Sequence, residues 1–597
     1  MCVYSRYFSI IFFVLSGFIG LAQYDALAEN YESRGEYEKA LSRYQTLYKN
    51  QPFHLGFFLG IVHAYQQLEK YDEAIAELEK KITSAPNLPQ LIIELGRTYE
   101  LKKDEEKAKY YYSQVVEKVR EEPNYAYSTG PIFRNYSLLD EAARVYETAM
   151  EIEPRLNFNR ELAVIYGEQG NLEKMFDNYI SIIGALPSLR FQATTDFRDF
   201  ITDDPLNEAN IVFRKLLLKK LQAEPDIIYN RLLSWLFIQQ KELKKSFSQE
   251  KAIFKRTDDG MASMFDLSQI AIEQKDTETA QEILDYILSK SIGLDLRIKA
   301  NRILLSIRVE AAEPRNYNTI RKEYETLLSE FGRGAETVEI QKDYAYFLAF
   351  KTDEKQEAVT LLKKVLRKRL NRFQEAGVKI LMGDILMLDE KFNTALIYYT
   401  QVQTSLKNHE LAQTARFKVA QASYYKGDFD WAQTQLKVLK ESTSQLIAND
   451  AMELSLVISD NSLEDSTQAA LKIFAKADLL AFQGKEQEAI DTYQELLDQY
   501  KGEKIEDETL LRQALLLEKD KKFEEARTNY LKILEFFKED ILADDAYYYL
   551  GNLYADHLDN PQRARENYER IIFDHPDSIY YVEAQKKFRR LRGDAIN

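Results

Sequence analysis

The sequence predicts an all-α solenoid, a stack of antiparallel helix pairs, and three observations support this fold class. Aromatic residues and alanines recur at a spacing of 34 residues, which is typical of a repeated helical hairpin. Glycine and proline, 21 and 12 of 597 residues, are too scarce for a chain rich in turns. Hydrophobic residues make up 45% of the chain, enough for a continuous core between helix layers. The two columns of this register are Tyr31, Tyr65, Tyr99 and Phe133, and Ala40, Ala74, Ala108 and Ala142.

The register is most regular over residues 23–187, where it defines about five helix pairs. The small alanine allows the two helices of a pair to approach closely, while bulky residues fill the space above and below it. Gly35 suits a left-handed turn between helices. The fifth unit still counts as a repeat, although Met175 replaces its alanine. The residues four positions after the alanines are Tyr44, Leu78, Tyr112 and Tyr146, and Pro52, Pro86, Pro154 and Pro187 close four of the units.

This pattern resembles the tetratricopeptide repeat (TPR) family, whose stacked helix pairs bind other proteins. The resemblance implies that the first helix of each pair lines a concave groove. Family members that bind a C-terminal carboxylate have lysine and asparagine where this chain has Asp25 and Glu29, so we expect an extended peptide or a folded protein as ligand instead. The implied groove residues of the first three repeats are Glu29, Glu32, His63, Gln66, Gln67, Arg97 and Glu100.

The fourth unit departs from the pattern, because Gly130 and Pro131 fall in the middle of its expected first helix. Proline removes a backbone donor and clashes with the preceding turn, so we expect this helix to be short or kinked. Such a helix would open a notch in the groove near Arg134, which joins the candidate partner-binding residues.

Beyond residue 187 the register changes twice. Residues 188–260 keep helical periodicity without the alanine column, which fits either degenerate repeats or a junction between two superhelical arrays. Residues 261–475 form a central TPR-like array with a longer period, and residues 476–582 carry the C-terminal repeats, with Ala489, Ala526 and Ala564 spaced by 37 and 38 residues. Residues 583–597 are expected to form a basic capping helix and tail, because the end of a solenoid needs a polar cover, and a docking site for an anionic partner is the alternative.

A basic run stands out in this acidic chain. Leu361, Leu362, Val365, Leu366 and Leu370 are expected to share its helix and to give it a packed side. The charged side is then either simply solvated or a docking patch for an acidic protein or for anionic envelope lipid. The basic residues are Lys363, Lys364, Arg367, Lys368, Arg369 and Arg372.

Residues 1–22 resemble a secretory signal peptide, since Arg6 precedes an apolar run that ends at Leu21. An uncleaved anchor is the alternative, although the run is short for a spanning helix. The only cysteine, Cys2, lies inside this leader, so the mature chain would have no disulfide, no thiolate metal site and no cysteine for lipid attachment. We therefore expect an exported protein of the periplasm, with peripheral contact to the outer membrane as a further expectation.

The composition argues against several other functions. A net charge of -16 repels nucleic acid phosphates. The pairs Asp203–Asp204 and Asp544–Asp545 stand beside expected helix starts, where aspartate caps free amides, and we interpret them as caps rather than acid–base pairs. We expect no catalytic residue, no cofactor, no metal site and no small-molecule substrate. The histidines are scattered over different repeats: His54, His63, His409, His557 and His575.

The sequence thus predicts a non-enzymatic scaffold, which binds protein partners of the bacterial envelope and organises an assembly, secretion or motility complex. Two other classes stay open. One is a glycan-binding nutrient-uptake protein with a helical, TPR-containing fold, against which the missing lipidation cysteine argues. The other is an envelope enzyme whose site is not visible in sequence, and its first sign would be a buried polar cluster in a closed pocket.

Overall fold

The computed structural model describes residues 26–439, 445–462 and 468–594. Within these ranges the protein is all-α, without a β-strand, as the sequence predicts. The chain forms two compact units, the first ending at Gly260 and the second beginning at Met261. The predicted leader and Asp25 lie outside the described residues. None of the described helices is long and apolar enough to cross a membrane.

The first unit contains fourteen described helices, and most consecutive helices pack against each other. Short 3₁₀ turns precede α7 and α11 and follow α11. The helices are α1 (residues 26–33), α2 (Tyr37–Asn50), α3 (Leu55–Gln67), α4 (Tyr71–Ser84), α5 (Pro89–Leu101), α6 (Glu105–Glu121), α7 (Ala126–Asn135), α8 (Leu139–Ile152), α9 (Asn159–Glu168), α10 (Leu172–Ala185), α11 (Arg190–Phe197), α12 (Glu208–Ala223), α13 (Ile227–Gln239) and α14 (Leu243–Thr257).

The second unit contains eighteen described helices and one π-helical turn, Phe347–Lys351. The helices are α15 (Met261–Glu273), α16 (Thr277–Lys290), α17 (Leu294–Glu310), α18 (Tyr317–Glu330), α19 (Val338–Tyr346), α20 (Lys355–Leu366), α21 (Arg372–Leu388), α22 (Phe392–Leu406), α23 (Glu410–Lys426), α24 (Phe429–Leu439), α25 (Gln445–Asp460), α26 (Ala469–Phe482), α27 (Glu486–Gln499), α28 (Ile505–Lys519), α29 (Phe523–Phe536), α30 (Ala543–Asp556), α31 (Pro561–Asp574) and α32 (Tyr581–Arg592).

The alanine column lies in the core of both units. Its members in the first four repeats and in five later ones are at most 3% exposed, which confirms that each admits a neighbouring helix. Gly35 has φ 73° in the turn between α1 and α2, as predicted, and Gly484 occupies the same kind of turn between α26 and α27 with φ 75°. The buried alanines are Ala40, Ala74, Ala108, Ala142, Ala395, Ala432, Ala489, Ala526 and Ala564.

A second set of glycines lies inside helices, directly under tyrosine rings. A Cβ atom built on Gly130 would stand 2.2 Å from Tyr146 Cζ, and one on Gly383 would stand 2.3 Å from Tyr399 Cε1. Gly130 therefore does not depart from the repeat pattern, because it makes room for a ring as glycines in other repeats do. The expected shortness of this helix is confirmed, since α7 has only 10 residues and holds Pro131 in its interior. The other such pairs are Gly60–Tyr44, Gly96–Tyr112 and Gly551–Tyr568.

The hydroxyl groups of these tyrosines have a recurring partner. In five repeats a tyrosine of the second helix donates to a carboxylate of the first helix, at distances between 2.5 and 2.9 Å in four of them. The tyrosines are buried, and burial with the nearby carboxylate raises the pKa of Tyr399 well above its ordinary value. The pairs are Tyr44–Glu32, Tyr112–Glu100, Tyr399–Asp384, Tyr493–Asp478 and Tyr530–Glu518.

One interval of the second unit contains an additional helix. Ala432 and Ala489 are 57 residues apart, far more than one repeat. Helix α25 occupies this interval and packs against α23, α24 and α28, while α26 also packs against α23. The extra helix explains why the alanine spacing breaks here and then resumes at 37 residues.

Candidate functional site

A polar network joins three of the first four repeats. His63 of α3 lies with its Nε2 atom 3.3 Å from Glu94 Oε2 of α5. The hydroxyl of Tyr136, which follows α7, donates to Glu94 Oε1 at 2.6 Å and lies 3.2 Å from His63 Nε2. The guanidinium of Arg97, one turn after Glu94, stands 5.5 Å from the centre of the Tyr136 ring. These side chains come from α3, α5 and the residue after α7, and only the stacking of repeats brings them together.

Glu94 is the centre of this network. The residue is 3% exposed, so its carboxylate is stable there only with a charged or hydrogen-bonding partner. Burial lowers the pKa of His63, but the hydrogen bond and charge of Glu94, with the charge of Glu32, outweigh burial and raise it above its ordinary value. Glu94 therefore stabilises the imidazolium form of His63 relative to a free histidine.

The predicted groove residues fall into two groups. Most of them bond within the protein: Gln66 Nε2 donates to Thr98 Oγ1 at 2.9 Å, and Arg97 Nη1 donates to Glu100 Oε2 at 2.8 Å. Glu32 and Glu100 accept the tyrosine hydroxyls described above. By contrast, Glu29 and Gln67 are exposed. The bonded residues therefore contribute to the internal contacts of the repeats. Glu29 and Gln67 are the predicted groove residues that face solvent.

Arg134, the residue predicted to stand near a notch, makes an ion pair between neighbouring repeats. Its Nη2 atom lies 2.5 Å from Glu168 Oε1, and its Nε atom also donates to that carboxylate. Both side chains remain partly exposed. The pair therefore links α7 to α9 at the surface.

The expectation that the basic run lies on one helix is wrong. Helix α20 ends at Leu366, and α21 begins at Arg372 after an intervening loop. Asn371 caps α21: its side chain accepts from the amides of Phe373 and Gln374, and Gln374 Oε1 accepts from the Asn371 amide. The basic residues thus occupy the last turn of α20, the loop and the first residue of α21. We call Lys363, Lys364, Arg367, Lys368, Arg369 and Arg372 the basic loop.

The basic loop is largely exposed and carries no internal charge neutralisation. Five of its six residues are exposed, and Lys368 is half-buried. Lys368 donates weakly to Gln341 Oε1 at 3.4 Å, and burial, with the charge of Arg333, lowers its pKa. Across the described ranges, no carboxylate stands within 4 Å of a basic-loop nitrogen, although many other cations of the chain are paired. The loop therefore presents unneutralised positive charge to solvent.

The remaining candidates for chemistry have structural roles. His54 and His409 cap α3 and α23, each accepting from a backbone amide. Among the described residues, no group of three or more His, Cys, Asp or Glu side chains could hold a metal ion. The capping interpretation of the aspartate pairs is wrong for Asp203 and Asp204, since Asn207 caps α12. Asp203 pairs instead with Lys241.

The second aspartate pair lies in the first turn of α30, whose N-cap residue Leu542 makes no side-chain cap. Burial raises the pKa of Asp545 to about 6, against the hydrogen bond that it accepts from the Tyr580 hydroxyl at 2.7 Å. The hydrogen bond between Asp545 and Tyr580 is thus a packing contact between α30 and the start of α32.

Two cavities in the second unit are not predicted by the sequence, because the residues that line them follow no repeated spacing. A cavity of about 370 Å³ is lined by Tyr424, Asp478 and Arg512, among others. Its polar groups bond to one another: Asp478 accepts from Tyr424 and Tyr493, and Arg512 pairs with Glu453. A larger cavity, of about 660 Å³, lies against α15, α17 and α19.

Comparison with known proteins agrees with the repeated helix pairs. Two models of the tetratricopeptide repeat match this chain, one over residues 26–89 and the other over residues 473–502 and 545–578. Residues 26–89, 473–502 and 545–578 match tetratricopeptide repeats. These matches cover the beginning of the first unit and two late repeats of the second unit, each of which holds an alanine of the register.

Individual relatives share only distant similarity with this chain. The general transcriptional corepressor trfA of Dictyostelium discoideum is 23% identical over 133 residues, which are 22% of this chain and 10% of that protein. The chain thus spans about a tenth of the length of this curated relative.

Among solved structures, Naa15/Naa10 bound to HypK-THB matches with 12% identity and a TM-score of 0.27, covering 96% of both chains. The Cut9-Hcn1 hetero-tetramer of APC/C matches with 14% identity and a TM-score of 0.24, over 89% of this chain and 95% of that one. The TPR domain of P58(IPK) matches with 14% identity and a TM-score of 0.19, over 62% and 98%.

Proposed function

We propose that this protein is an exported, non-enzymatic scaffold of the bacterial periplasm, which holds protein partners of an envelope assembly, secretion or motility complex together. The observation that carries the proposal is the basic loop, six cations without a carboxylate partner among the described residues of a chain with net charge -16. An isolated positive surface on an acidic protein attracts acidic partners and repels basic ones.

The basic loop fits an acidic protein better than a single small anion. Its cations span a helix end, a loop and a helix start, so they present a spread surface rather than one converging site. Arg367, Arg369 and Arg372 add planar guanidinium groups, which bind carboxylates in a bidentate manner. Charge complementarity of this kind mainly accelerates association and selects the partner.

Charge reversal of the basic loop tests this partner class. We expect Lys364→Glu, Arg367→Glu, Arg369→Glu and Arg372→Glu together to reduce capture of acidic envelope proteins about tenfold or more at low salt, because the attraction becomes repulsion. Captured proteins are identified and their charge is read from their sequences. The matched control reverses Lys49, Lys80, Lys215 and Lys219, four exposed lysines spread over α2, α4 and α12.

Two outcomes contradict the acidic-partner proposal. In one, both variants retain the same partners as the wild-type protein. In the other, reversal of the basic loop abolishes co-sedimentation with vesicles of anionic phospholipid but leaves protein capture intact, which would assign the loop to the membrane surface.

Export is tested separately, because it depends on residues 1–22. We expect the full chain with a C-terminal alkaline phosphatase, an enzyme that becomes active only after export, to show activity in a Gram-negative host. The same fusion without residues 2–22 should be inactive. Equal activity of the two fusions would show that these residues do not direct export.

A further inference from the structure

Helix α32 has two unlike faces. Its inner face consists of Ala584, Phe588 and Leu591, which follow one another at helical spacing. Ala584 is fully buried, and the other two side chains pack against the hydrophobic core of α27 to α31. Lys587 also ties the helix to α30, because its Nζ atom donates to Asn552 Oδ1 at 2.6 Å. These contacts fix the orientation of α32, so that its outer face presents a constant set of side chains to solvent.

The outer face carries three exposed cations at the same helical spacing, Lys586, Arg589 and Arg590. Within the described ranges none of the three makes an ion pair, whereas Arg592 pairs with Asp594. Residues 577–593 hold five basic and two acidic residues, so this surface is positive on a chain that is acidic as a whole. A negatively charged partner is therefore favoured. The two acidic residues are Asp577 and Glu583.

Two aliphatic side chains stand at the start of this face. Ile579, in the turn before α32, is 84% exposed, and Val582, in the first turn of the helix, is 73% exposed. Val582 lies four residues before Lys586 and therefore on the same side of the helix. Single exposed aliphatic residues are common on protein surfaces. Two of them beside three unpaired cations form the combination by which peripheral proteins contact a membrane surface.

An anionic phospholipid surface matches both kinds of group at once. Its phosphates accept hydrogen bonds from ammonium and guanidinium groups, and the adjoining acyl chains take up aliphatic side chains. Lys586 and Arg590 lie about 6 Å and about 12 Å along the helix axis from Val582. Their long side chains can reach the phosphates while Val582 enters the acyl region. An acidic protein would need an apolar pocket of matching shape beside its carboxylates, whereas a lipid surface adapts to the side chains.

We propose that the outer face of α32 docks on an anionic phospholipid surface, with Lys586, Arg589 and Arg590 at the phosphates and with Ile579 and Val582 between the acyl chains. The inference rests on the proposed export of the chain, which brings it to the lipid of the envelope. It assigns different chemistry to two positive surfaces: the basic loop binds an acidic protein, and α32 binds lipid.

A fluorescent label at position 579 reports this docking. Cys2 is the only cysteine of the chain, so Cys2→Ser/Ile579→Cys offers one site for a dye whose emission rises in apolar surroundings. We expect the emission of the labelled full chain to rise with vesicles of equal parts phosphatidylcholine and phosphatidylglycerol, and not with phosphatidylcholine alone. Ile292→Cys in the same Cys2→Ser background is the matched control, since Ile292 is 98% exposed in the loop before α17. A label there should not respond.

Neutralisation of the three cations tests their part in docking. In the chain labelled at position 579, Lys586→Gln, Arg589→Gln and Arg590→Gln together should raise the lipid concentration for half-maximal emission about tenfold or more, because each cation near an anionic surface adds attraction. Glutamine favours a helix about as well as lysine and arginine do, so α32 should stay folded. The control removes the same charge at exposed positions of α2, α4 and α12 and should change little: Lys49→Gln, Lys80→Gln and Lys215→Gln.

Three results would overturn the lipid proposal. The labels at positions 579 and 292 respond equally or not at all, the two neutralised variants need the same lipid concentration, or emission at position 579 rises with acidic envelope proteins while vesicles have no effect. The third result would assign α32 to a protein partner. All three leave the scaffold function intact as long as the basic loop captures acidic proteins. Loss of that capture with lipid docking unchanged would contradict the scaffold function alone.

Discussion

Asp478→Ala is expected to destabilise the second unit by about 3 kcal/mol, since each buried donor left without an acceptor costs roughly 1 to 3 kcal/mol. The carboxylate of Asp478, in α26, accepts the hydroxyls of Tyr424 from α23 and Tyr493 from α27. Both tyrosines are 1% exposed, so their hydroxyls have little contact with bulk water. The substitution therefore leaves two buried donors unmatched.

Hydrogen exchange measures this effect locally, which suits a repeat protein whose stability is a sum of neighbouring contacts. Amides of α23, α26 and α27 should exchange roughly 100-fold faster in the variant, since each 1.4 kcal/mol is a factor of ten. Asp498→Ala is the control. Asp498 is an exposed acid of α27 whose carboxylate accepts from exposed Gln494, so exchange should hardly change.

A double-mutant cycle identifies the cause. In a Tyr424→Phe/Tyr493→Phe background no hydroxyl is left to satisfy, and Asp478→Ala should then cost less than about 1 kcal/mol. An undiminished cost in that background would mean that the tyrosine hydroxyls are not the reason for the destabilisation.

Gly130→Ala is expected to destabilise the fourth repeat by about 2 kcal/mol, the usual range for overpacking a core being about 1 to 3 kcal/mol. The added methyl would stand 2.2 Å from Tyr146 Cζ, and Tyr146 is 4% exposed and packs on Phe158 with ring centres 4.8 Å apart. The ring cannot move aside without disturbing this contact. Alanine favours the helix by about 1 kcal/mol over glycine, but the clash is larger.

Gly184→Ala provides the matched control in the same unit. Gly184 also lies inside a helix, α10, and a Cβ atom there would meet nothing within 4 Å. The same substitution should therefore stabilise the protein by up to about 1 kcal/mol. Exchange of the α7 and α8 amides should quicken in the Gly130 variant, and that of α10 should slow in the Gly184 variant. Similar effects of both substitutions would show that helix propensity alone determines the change in stability.

The regular part of the fold follows from the sequence because its cause is local. Alanine is small wherever it stands, so Ala40 or Ala564 in a 34- to 38-residue register indicates a close helix crossing without further information. Gly130 was misinterpreted, because a glycine before a proline usually breaks a helix, and the ring that needs the space belongs to Tyr146, 16 residues away. The π turn and α25 left no periodic pattern to detect.

The candidate sites were less predictable for a related reason. His63, Glu94 and Tyr136 interact across 31 and 42 residues, and no spacing in the sequence indicates which of the polar residues bond to each other. The interruption of the basic run could have been found, since Asn371 and Gln374 form the capping box of a new helix.

The tyrosine–carboxylate contacts show that part of the negative charge of the chain has a structural role. Five of the carboxylates in the total of -16, those of Glu32, Glu100, Asp384, Asp478 and Glu518, hold a hydroxyl of the neighbouring helix. They are part of the internal architecture of the repeats and not freely exchangeable surface charge. A protein engineer who wished to make this chain less acidic would have to leave these five in place and remove acids from the outer faces of the helices.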